Sequence, residues 1–296
     1  MSRSHASRST ADPLRQVSVE LVRWIGAEAS AERDELAAEE PLEIRVVAAA
    51  ADGEERAEQL AVIMRTPGHD EELAAGFLYG EGLIRGGDEL RAIRPGLDDD
   101  GLPSPNALDI VPAPDVDLMA RLTAVGAARH FTVNASCGVC GKNSVAAVCD
   151  LFARVAGDDF AVDPAVLYTL PARLRAEQRV FSSTGGLHGA GLFDAQGTLL
   201  ALREDVGRHN AVDKLIGRAL LDGELPLRER MLLVSGRVSF EILQKALAAG
   251  IPLVAAVSAP SSLAVDLAAA GGVTLAAFLR GERVNVYTHP SRVRVP

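Results

Sequence analysis

Apolar positions recur along this chain with two different periods, and each period predicts a type of element. Residues 42–46 alternate apolar and polar side chains, and residues 60–64 form a short apolar run. Each of these patterns predicts a strand. Residues 69–84 carry apolar side chains at helical spacing after an acidic first turn, and the glycines at 86–87 are expected to end this helix. The acidic, Pro/Gly-rich stretch 98–105 predicts a loop.

Strand and helix patterns alternate regularly in the second half of the chain. The predicted strands cover residues 187–193, 198–203, 231–234, 253–257 and 273–278, the first two joined as a hairpin. The predicted helices cover residues 209–220, 240–249 and 261–270. This order with short connections is typical of the α/β class, and it predicts a mostly parallel sheet with flanking helices behind an α+β N-terminal part.

These patterns divide the chain into four segments. Residues 1–40 are expected to be a poorly ordered N-terminal extension, with ordered structure beginning near Leu42. Residues 41–135 are predicted to form a smaller N-terminal α/β domain, and 136–160 a cysteine-bearing loop and connection. Residues 161–296 are predicted to form the larger α/β domain.

Charge and hydropathy narrow the classes of function. The net charge is −10, and residues 1–60 alone contain 7 Arg against 13 Asp or Glu, which does not favour nucleic-acid binding. No apolar run reaches the roughly 18 residues that a membrane span needs, and the polar start lacks a signal-peptide pattern. We therefore expect a soluble cytoplasmic protein. Three cysteines in that compartment do not predict a disulfide framework.

The candidate reactive residues are Cys137 and Cys140, a C-x-x-C pair in which a glycine follows each cysteine. Lys142 can favour the thiolate, which is the nucleophilic form. A zinc site would need further ligands, and only the isolated His188 or His209 could supply them. A redox motif should open a helix after a strand, and two incidental thiols are also possible. Sulfur carriage needs one accessible nucleophile and fits the sequence best.

Cys149 is different, because it lies in an apolar run and is expected to be a buried structural thiol.

A second set of candidates lies at predicted strand ends, where ligands bind in open α/β sheets. Backbone N–H groups, hydroxyls and arginines there could hold a phosphate-bearing ligand, although turns and helix caps also explain such residues. The candidates are Thr184, Gly185, Gly186, His188, Arg208, His209, Ser235, Gly236, Arg237, Ser258 and the segment Phe278, Leu279, Arg280, Gly281, Glu282, Arg283.

Taken together, these segments resemble the FdhD family, the sulfur carriers required for formate dehydrogenase activity. The resemblance covers roughly residues 42–290. It rests on residues 65–72, C-G-V-C-G at 137–141, T-G-G-L-H at 184–188, E-D-V-G-R-H-N-A-V-D-K at 204–214, S-G-R at 235–237, A-G-I-P at 249–252, S-A-P-S-S-L-A-V-D-L at 258–267 and F-L-R-G-E-R-V-N-V-Y-T at 278–288.

The resemblance implies a function. A cysteine desulfurase would give persulfide sulfur to the carrier, which would pass it to the bis-molybdopterin guanine dinucleotide molybdenum cofactor of formate dehydrogenase. Cys137 matches the persulfide-bearing cysteine, Cys140 its partner, and residues 278–283 the cofactor-binding segment. The family also implies a homodimer and a cytidine deaminase-like C-terminal domain.

Two alternatives remain open. One is a chaperone that binds the cofactor and has no thiol chemistry. Because of this alternative, the sequence does not decide whether the chain is a sulfurtransferase-like enzyme. The other is a zinc deaminase, which needs H-x-E at one helix start and P-C-x-x-C at the next. Here His209 has no Glu two residues later and the segment 235–239 has no cysteine, so no permanently bound metal is expected.

Overall fold

The computed structural model describes residues 15–49, 55–98, 100–129, 145–155 and 160–295. Within these ranges the chain forms twelve strands in three sheets, eight α-helices and two short 3₁₀ turns, Gly87–Glu89 and Pro290–Arg292. No helix in the described ranges is both long and apolar enough to cross a membrane.

The first sheet is a two-stranded antiparallel ribbon, β1 (Gln16–Ile25) and β2 (Glu28–Ala37). Gly26, with φ of 62°, allows the tight turn between them. The prediction that ordered structure begins near Leu42 is therefore wrong, since regular strands begin at Gln16. The base of the ribbon contacts the six-stranded sheet described below, where Arg15 donates from Nη2 to the Glu204 carbonyl at 2.9 Å.

The second sheet has four strands in the order β4-β3-β6-β5. Strands β3 and β6 are parallel, and the outer pairs are antiparallel. The predicted strands at 42–46 and 60–64 are confirmed, whereas the predicted loop at 98–105 is too long because β6 already begins at Pro103. The strands are β3 (Glu40–Ala49), β4 (Glu55–Arg65), β5 (Leu90–Leu97) and β6 (Pro103–Pro112).

Helix α1 (Asp70–Gly80) packs on this sheet through Leu73 and Leu78. It ends earlier than the predicted Ile84, because Glu81 caps it and Gly82 adopts a left-handed φ of 73° that turns the chain away. Helix α2 (Leu118–Arg129) follows β6.

The third sheet has six strands in the order β12-β11-β10-β9-β7-β8. Of its neighbouring pairs only β9–β10 and β10–β11 are parallel, so the expected mostly parallel sheet is in fact mixed. The reason is that β7–β8 and β11–β12 are hairpins, whose short turns force antiparallel pairing. The strands are β7 (His188–Phe193), β8 (Leu199–Asp205), β9 (Met231–Val234), β10 (Leu253–Ala256), β11 (Thr274–Arg280) and β12 (Arg283–Val286).

Helices cover both faces of the six-stranded sheet. The alternation along β9 separates the two cores: Leu232 belongs to one buried cluster and Met231 to the other. Leu215, Leu243 and Leu267 cover the Leu232 face. The helices are α3 (Val145–Leu151), α4 (Pro164–Glu177), α5 (Arg179–Thr184), α6 (Arg208–Leu221), α7 (Phe240–Ala248) and α8 (Ser262–Gly271). The predicted helices at 209–220, 240–249 and 261–270 are confirmed.

The four-stranded and six-stranded sheets are joined by the crossing of α1 and α6. A Cβ added at Gly76 would overlap the Asp213 carbonyl, and one added at Gly217 would overlap the Glu72 carbonyl. Beside this crossing, Arg203 forms a bidentate ion pair with Glu72, with distances of 2.5 Å from Nε to Oε2 and 2.6 Å from Nη2 to Oε1. The division into domains at 41–135 and 161–296 stays a prediction.

Candidate functional site

One edge of the six-stranded sheet collects most of the predicted site residues. Strands β9, β10 and β11 are parallel, so Ser235 and Ser258, which follow β9 and β10, lie at the same edge of the sheet as Phe278 near the end of β11. His188 begins the antiparallel β7 there, opposite the end of β8, and Arg208 begins α6 directly beyond it. Carboxyl ends of parallel strands are where ligands bind in such sheets.

Gly236 allows two basic side chains to approach each other at this edge. A Cβ at Gly236 would lie 3.3 Å from Nδ1 of His188 and 3.6 Å from Cδ of Arg208. Next to it, Gly189 donates its N–H to Oγ of Ser235 at 2.9 Å, and the Ser235 N–H donates to the Gly189 carbonyl at 2.9 Å. The Arg208 Nε is buried and has no hydrogen-bond partner in the described ranges.

The start of α6 is held by a buried charge network that sequence reasoning did not identify. Asp205 accepts hydrogen bonds at Oδ1 from the Gly207 N–H at 2.8 Å and from Nδ2 of Asn210 at 2.9 Å. Its Oδ2 lies 2.7 Å from Nζ of Lys214 and accepts from the Thr66 N–H at 3.2 Å. These contacts fix the turn that carries Arg208, and they tie it to the loop after β4.

The two histidines of the site are neutral at pH 7. Burial, together with the nearby charges of Arg208 and Lys245, lowers the pKa of His209 to about 4. Burial, and then the charge of Arg208, also lowers the pKa of His188. Nε2 of His209 lies 2.9 Å from Oγ of Ser239, a hydrogen bond that joins the starts of α6 and α7. The imidazoles therefore act as neutral hydrogen-bonding groups, and Arg208 supplies the positive charge.

The starts of α6 and α7 meet, and the residues there differ from the zinc ligands of a deaminase. A deaminase needs a His or Cys at the first helix start and two Cys at the second. Here His209 faces the hydroxyl of Ser239, with the Glu241 carboxylate 3.8 Å away. In the part of the chain that the structure describes, no group of three or more His, Cys, Asp or Glu could hold a metal ion.

A cavity of about 710 Å³ opens beside this edge. Four predicted residues line it, Gly185, Gly186, His188 and Ser235. Gly185 ends α5 with a left-handed φ of 67°. Thr184 supports the turn, because its Oγ1 accepts from the Gly186 N–H at 3.2 Å. The lining also contains Gln178 and Phe181, which sequence reasoning missed. They lie on and before the six-residue helix α5, which was not predicted.

The segment Phe278, Leu279, Arg280, Gly281, Glu282, Arg283 divides into two parts. Phe278 has a φ of 55°, a strained value for an aromatic residue, and its N–H donates to the Ser258 carbonyl at 3.2 Å. Leu279 is buried in the core under α4. The last four residues are exposed in the β11–β12 turn. Arg237 is exposed as well. None of these residues lines the cavity of about 710 Å³.

The cysteine pair cannot be placed in this geometry, because Cys137 and Cys140 lie outside the described residues, as does Lys142. Cys149 is described: it is a half-buried thiol in α3, less buried than predicted, and it packs against the core that contains α6, α7 and α8.

Comparisons with known proteins agree with the resemblance read from the motifs. The profile of the FdhD/NarQ family matches residues 37–294. A relative from Streptomyces avermitilis named "Sulfur carrier protein FdhD" is 52% identical over 265 residues, 88% of this chain and 89% of that protein. One of the same name from Mycolicibacterium paratuberculosis is 50% identical over 274 residues, 90% of this chain and 94% of that protein.

A solved structure gives the same result at the level of the fold. The crystal structure described as a formate dehydrogenase accessory protein from Desulfotalea psychrophila matches with a TM-score of 0.70. The two sequences are 26% identical, and the match covers 95% of this chain and 100% of the other.

Proposed function

The chain belongs to the FdhD/NarQ family, and from this premise we propose that it is a sulfur carrier protein that supports formate dehydrogenase. One structural observation carries the proposal: His188, Arg208 and Ser235 converge on the edge of the sheet, beside a cavity large enough for a nucleotide-sized ligand. A sulfur carrier for a cofactor needs both a reactive thiol and a pocket for the acceptor.

The sulfur step that we propose begins at Cys137. Its thiolate attacks the outer sulfur of a persulfide on a cysteine desulfurase, a new S–S bond forms, and the donor cysteine leaves as a thiolate. The carrier then holds Cys–S–SH. Attack of Cys140 on the inner sulfur would release the outer sulfur as HS⁻ and leave a disulfide, which a thiol reductant would have to reopen.

The acceptor that we propose is the bis-molybdopterin guanine dinucleotide molybdenum cofactor, bound as substrate at the sheet edge. The charge distribution supports this, because the buried, unpartnered Nε of Arg208 is suited to a phosphate oxygen. The backbone turn at Gly185 and Gly186 and the hydroxyl of Ser235 add hydrogen-bonding groups beside it. The family's cofactor segment at 278–283 begins at the same edge, at Phe278.

We also propose a cytidine deaminase-like fold for the six-stranded part, a homodimer, and a cytoplasmic location. The meeting of the α6 and α7 starts at His209 and Ser239 supports the fold assignment, since deaminases use two helix starts in this way. Because His209 has no Glu two residues later and residues 235–239 contain no cysteine, we propose that this pocket binds its ligand rather than deaminates it.

Complementation of formate dehydrogenase activity tests this function against the chaperone alternative. Cells lacking their own carrier would be supplied with wild type, Cys137→Ala or the control Cys149→Ala. We expect Cys137→Ala to abolish formate dehydrogenase activity while the purified variant still binds the cofactor, and Cys149→Ala to remain active. Full activity of Cys137→Ala would instead support the chaperone without thiol chemistry.

A further inference from the structure

The two helices that flank the cysteine pair are both attached to one short turn. This turn, residues 79–84, begins at the end of α1 and contains the left-handed Gly82. Helix α2 precedes the segment that carries Cys137 and Cys140, and α3 follows it. The cysteines lie outside the described residues, but the attachment of both helices is described.

The helix before the cysteines, α2, is held by Arg121. Its Nη1 donates to the Leu83 carbonyl at 2.9 Å and to Oε2 of Glu89 at 2.6 Å. Its Nη2 donates to Oε1 of Glu89 at 2.9 Å. A guanidinium that binds a carboxylate through two parallel hydrogen bonds has a fixed orientation. The first turns of α2 are therefore fixed beside the 79–84 turn, and the helix continues for about 12 Å from Arg121 to its end at Arg129.

The helix after the cysteines, α3, returns to the same turn. A Cβ added at Gly82 would lie 2.7 Å from Cδ2 of Leu151, the last residue of α3, so the missing side chain makes room for this contact. Val148, one helical turn earlier, is 1% exposed and fixes α3 on the core of the six-stranded part. The chain that leads to the cysteines thus starts at this turn, and the chain that leaves them ends there.

On its other side, the turn is bound to α7 by buried polar contacts. Nε2 of Gln244 donates to the Gly80 carbonyl at 2.8 Å. Nζ of Lys245 lies 3.8 Å from Oε1 of Glu81 and 2.7 Å from Oδ1 of Asp213 in α6. Buried charges are costly to separate from their partners, so these contacts hold the turn in one position.

The opposite end of α7 lies at the edge of the sheet that carries the candidate site. Ser239 directly precedes the helix, and its Oγ lies 2.9 Å from Nε2 of His209. From Phe240 to Ala248 the helix rises about 12 Å. A packed helix transmits position along its length. One helix therefore connects the edge of the sheet with the turn to which both flanking helices are attached.

We propose that the 79–84 turn positions the cysteine pair for delivery of sulfur to an acceptor at the edge of the sheet. The positioning residues are Arg121 on α2, Leu151 on α3 and Gln244 on α7. The inference rests on the proposed sulfur step and adds to it the part of the fold that sets its geometry.

Uptake and delivery of sulfur make different demands on this geometry. Uptake needs only an accessible thiolate, because the donor persulfide is carried by a separate protein that can approach it. In delivery, Cys140 attacks the inner sulfur of the Cys137 persulfide, the outer sulfur leaves as HS⁻ toward the acceptor, and a thiol reductant reopens the disulfide. Three groups of one molecule must then meet, and a displacement of about 1 Å can cost on the order of 100-fold in rate. Weakening the attachment should therefore impair delivery and spare uptake.

Two assays on the same variants separate the two steps. Uptake is followed by intact mass spectrometry of the full chain after incubation with a cysteine desulfurase and cysteine. Delivery is followed by the formate dehydrogenase activity restored to cells that lack their own carrier. We expect Arg121→Gln to gain one sulfur atom at a rate within about twofold of wild type, while the restored activity falls at least about tenfold. The matched control Arg94→Gln breaks a 3.0 Å ion pair with Glu55 in the same four-stranded part, outside the turn, and should keep both.

Leu151→Ala is a second variant that changes no charge. Leu151 is 43% exposed, so the variant should fold even if Arg121→Gln does not. Its matched control is Leu200→Ala on β8, where the side chain is 44% exposed. We expect Leu151→Ala to lose delivery and keep uptake, and Leu200→Ala to keep both. Gln244→Met removes the hydrogen bond to the Gly80 carbonyl and should show the same loss of delivery from the α7 side.

Three results would overturn the inference, and they differ in what else they refute. Wild-type activity restored by both Arg121→Gln and Leu151→Ala would refute it and leave the sulfur step intact. Equal losses of uptake and delivery would also refute it, because these residues would then serve folding alone. A wild type that takes up no sulfur would refute the sulfur step itself, and this inference with it.

Discussion

At the residue scale, the burial of neutral His209 makes the stability of the protein depend on pH. His209 has its pKa lowered to about 4 by burial and by the charges of Arg208 and Lys245, whereas an unfolded histidine titrates near 6.5. As pH falls below 6.5 the unfolded chain takes up a proton that the folded chain refuses, so stability is lost between pH 6.5 and about 4.

Urea unfolding of wild type and His209→Asn across that pH range tests this account. The wild type should lose on the order of 2–3 kcal/mol more than the variant between pH 6.5 and 4. If the free energy of unfolding depends on pH in the same way in both proteins, His209 is not held neutral by the fold.

The ion pair between Glu72 and Arg203 gives a second prediction for single residues. Burial would raise the pKa of Glu72, but the hydrogen bonds and charges of Arg203 and His69 outweigh it and lower that pKa to about 2. Glu72→Gln leaves the Arg203 guanidinium without its counter-charge, and we expect a loss of about 2 kcal/mol at pH 7 by urea unfolding. The control is Asp222→Asn in the more exposed pair with Arg218, where the change should stay within about 0.5 kcal/mol. Equal losses in both variants would contradict the account.

At the scale of elements, the α1–α6 crossing depends on backbone contact. Gly76→Ala would drive a methyl group into the Asp213 carbonyl, and neither helix backbone can move away easily. We expect a loss of at least about 3 kcal/mol in urea unfolding, or failure to fold. Gly80→Ala, whose Cβ would meet the Lys245 side chain at 3.1 Å, should cost clearly less because a side chain can shift. A smaller loss of unfolding free energy in Gly76→Ala than in Gly80→Ala would contradict the close backbone contact between α1 and α6.

The sequence predicted helices and strands well where their buried faces repeat apolar residues at a regular spacing, and poorly elsewhere. Helices α6, α7 and α8 and strands β9 to β11 were predicted because their apolar positions face two cores. The ribbon was missed because β2 is rich in Glu, Ala and Ser, residues with low strand propensity. The sheet was predicted to be mostly parallel although β7 runs antiparallel to β9, because periodicity carries no information on strand direction.

The candidate site shows the same limit. Strand-end residues such as His188 and Ser235 could be predicted, since strand order places them on one edge. The place of Gln178 in the cavity wall could not be predicted, because it depends on a close approach to Gly189 that no local pattern reveals.

At the scale of the whole molecule, the ribbon bears on the proposed homodimer. Isolated two-stranded ribbons are marginally stable, and at this tip Val22, Trp24 and Ile25 are 62%, 68% and 72% exposed. We expect wild type to sediment as a dimer, and the double variant Trp24→Ser, Ile25→Ser to shift toward monomer without unfolding. A monomeric wild type would contradict the homodimer, and an unaltered dimer in the variant would exclude the ribbon from the interface.

The central claim, sulfur carriage by Cys137, is tested most directly by intact mass spectrometry after incubation with a cysteine desulfurase and cysteine. The account predicts a gain of one sulfur atom, about 32 Da, on wild type and on Cys149→Ala, reversed by a reducing thiol. It predicts no gain on Cys137→Ala. The same gain on Cys137→Ala, or none on wild type with an active desulfurase, would contradict the account.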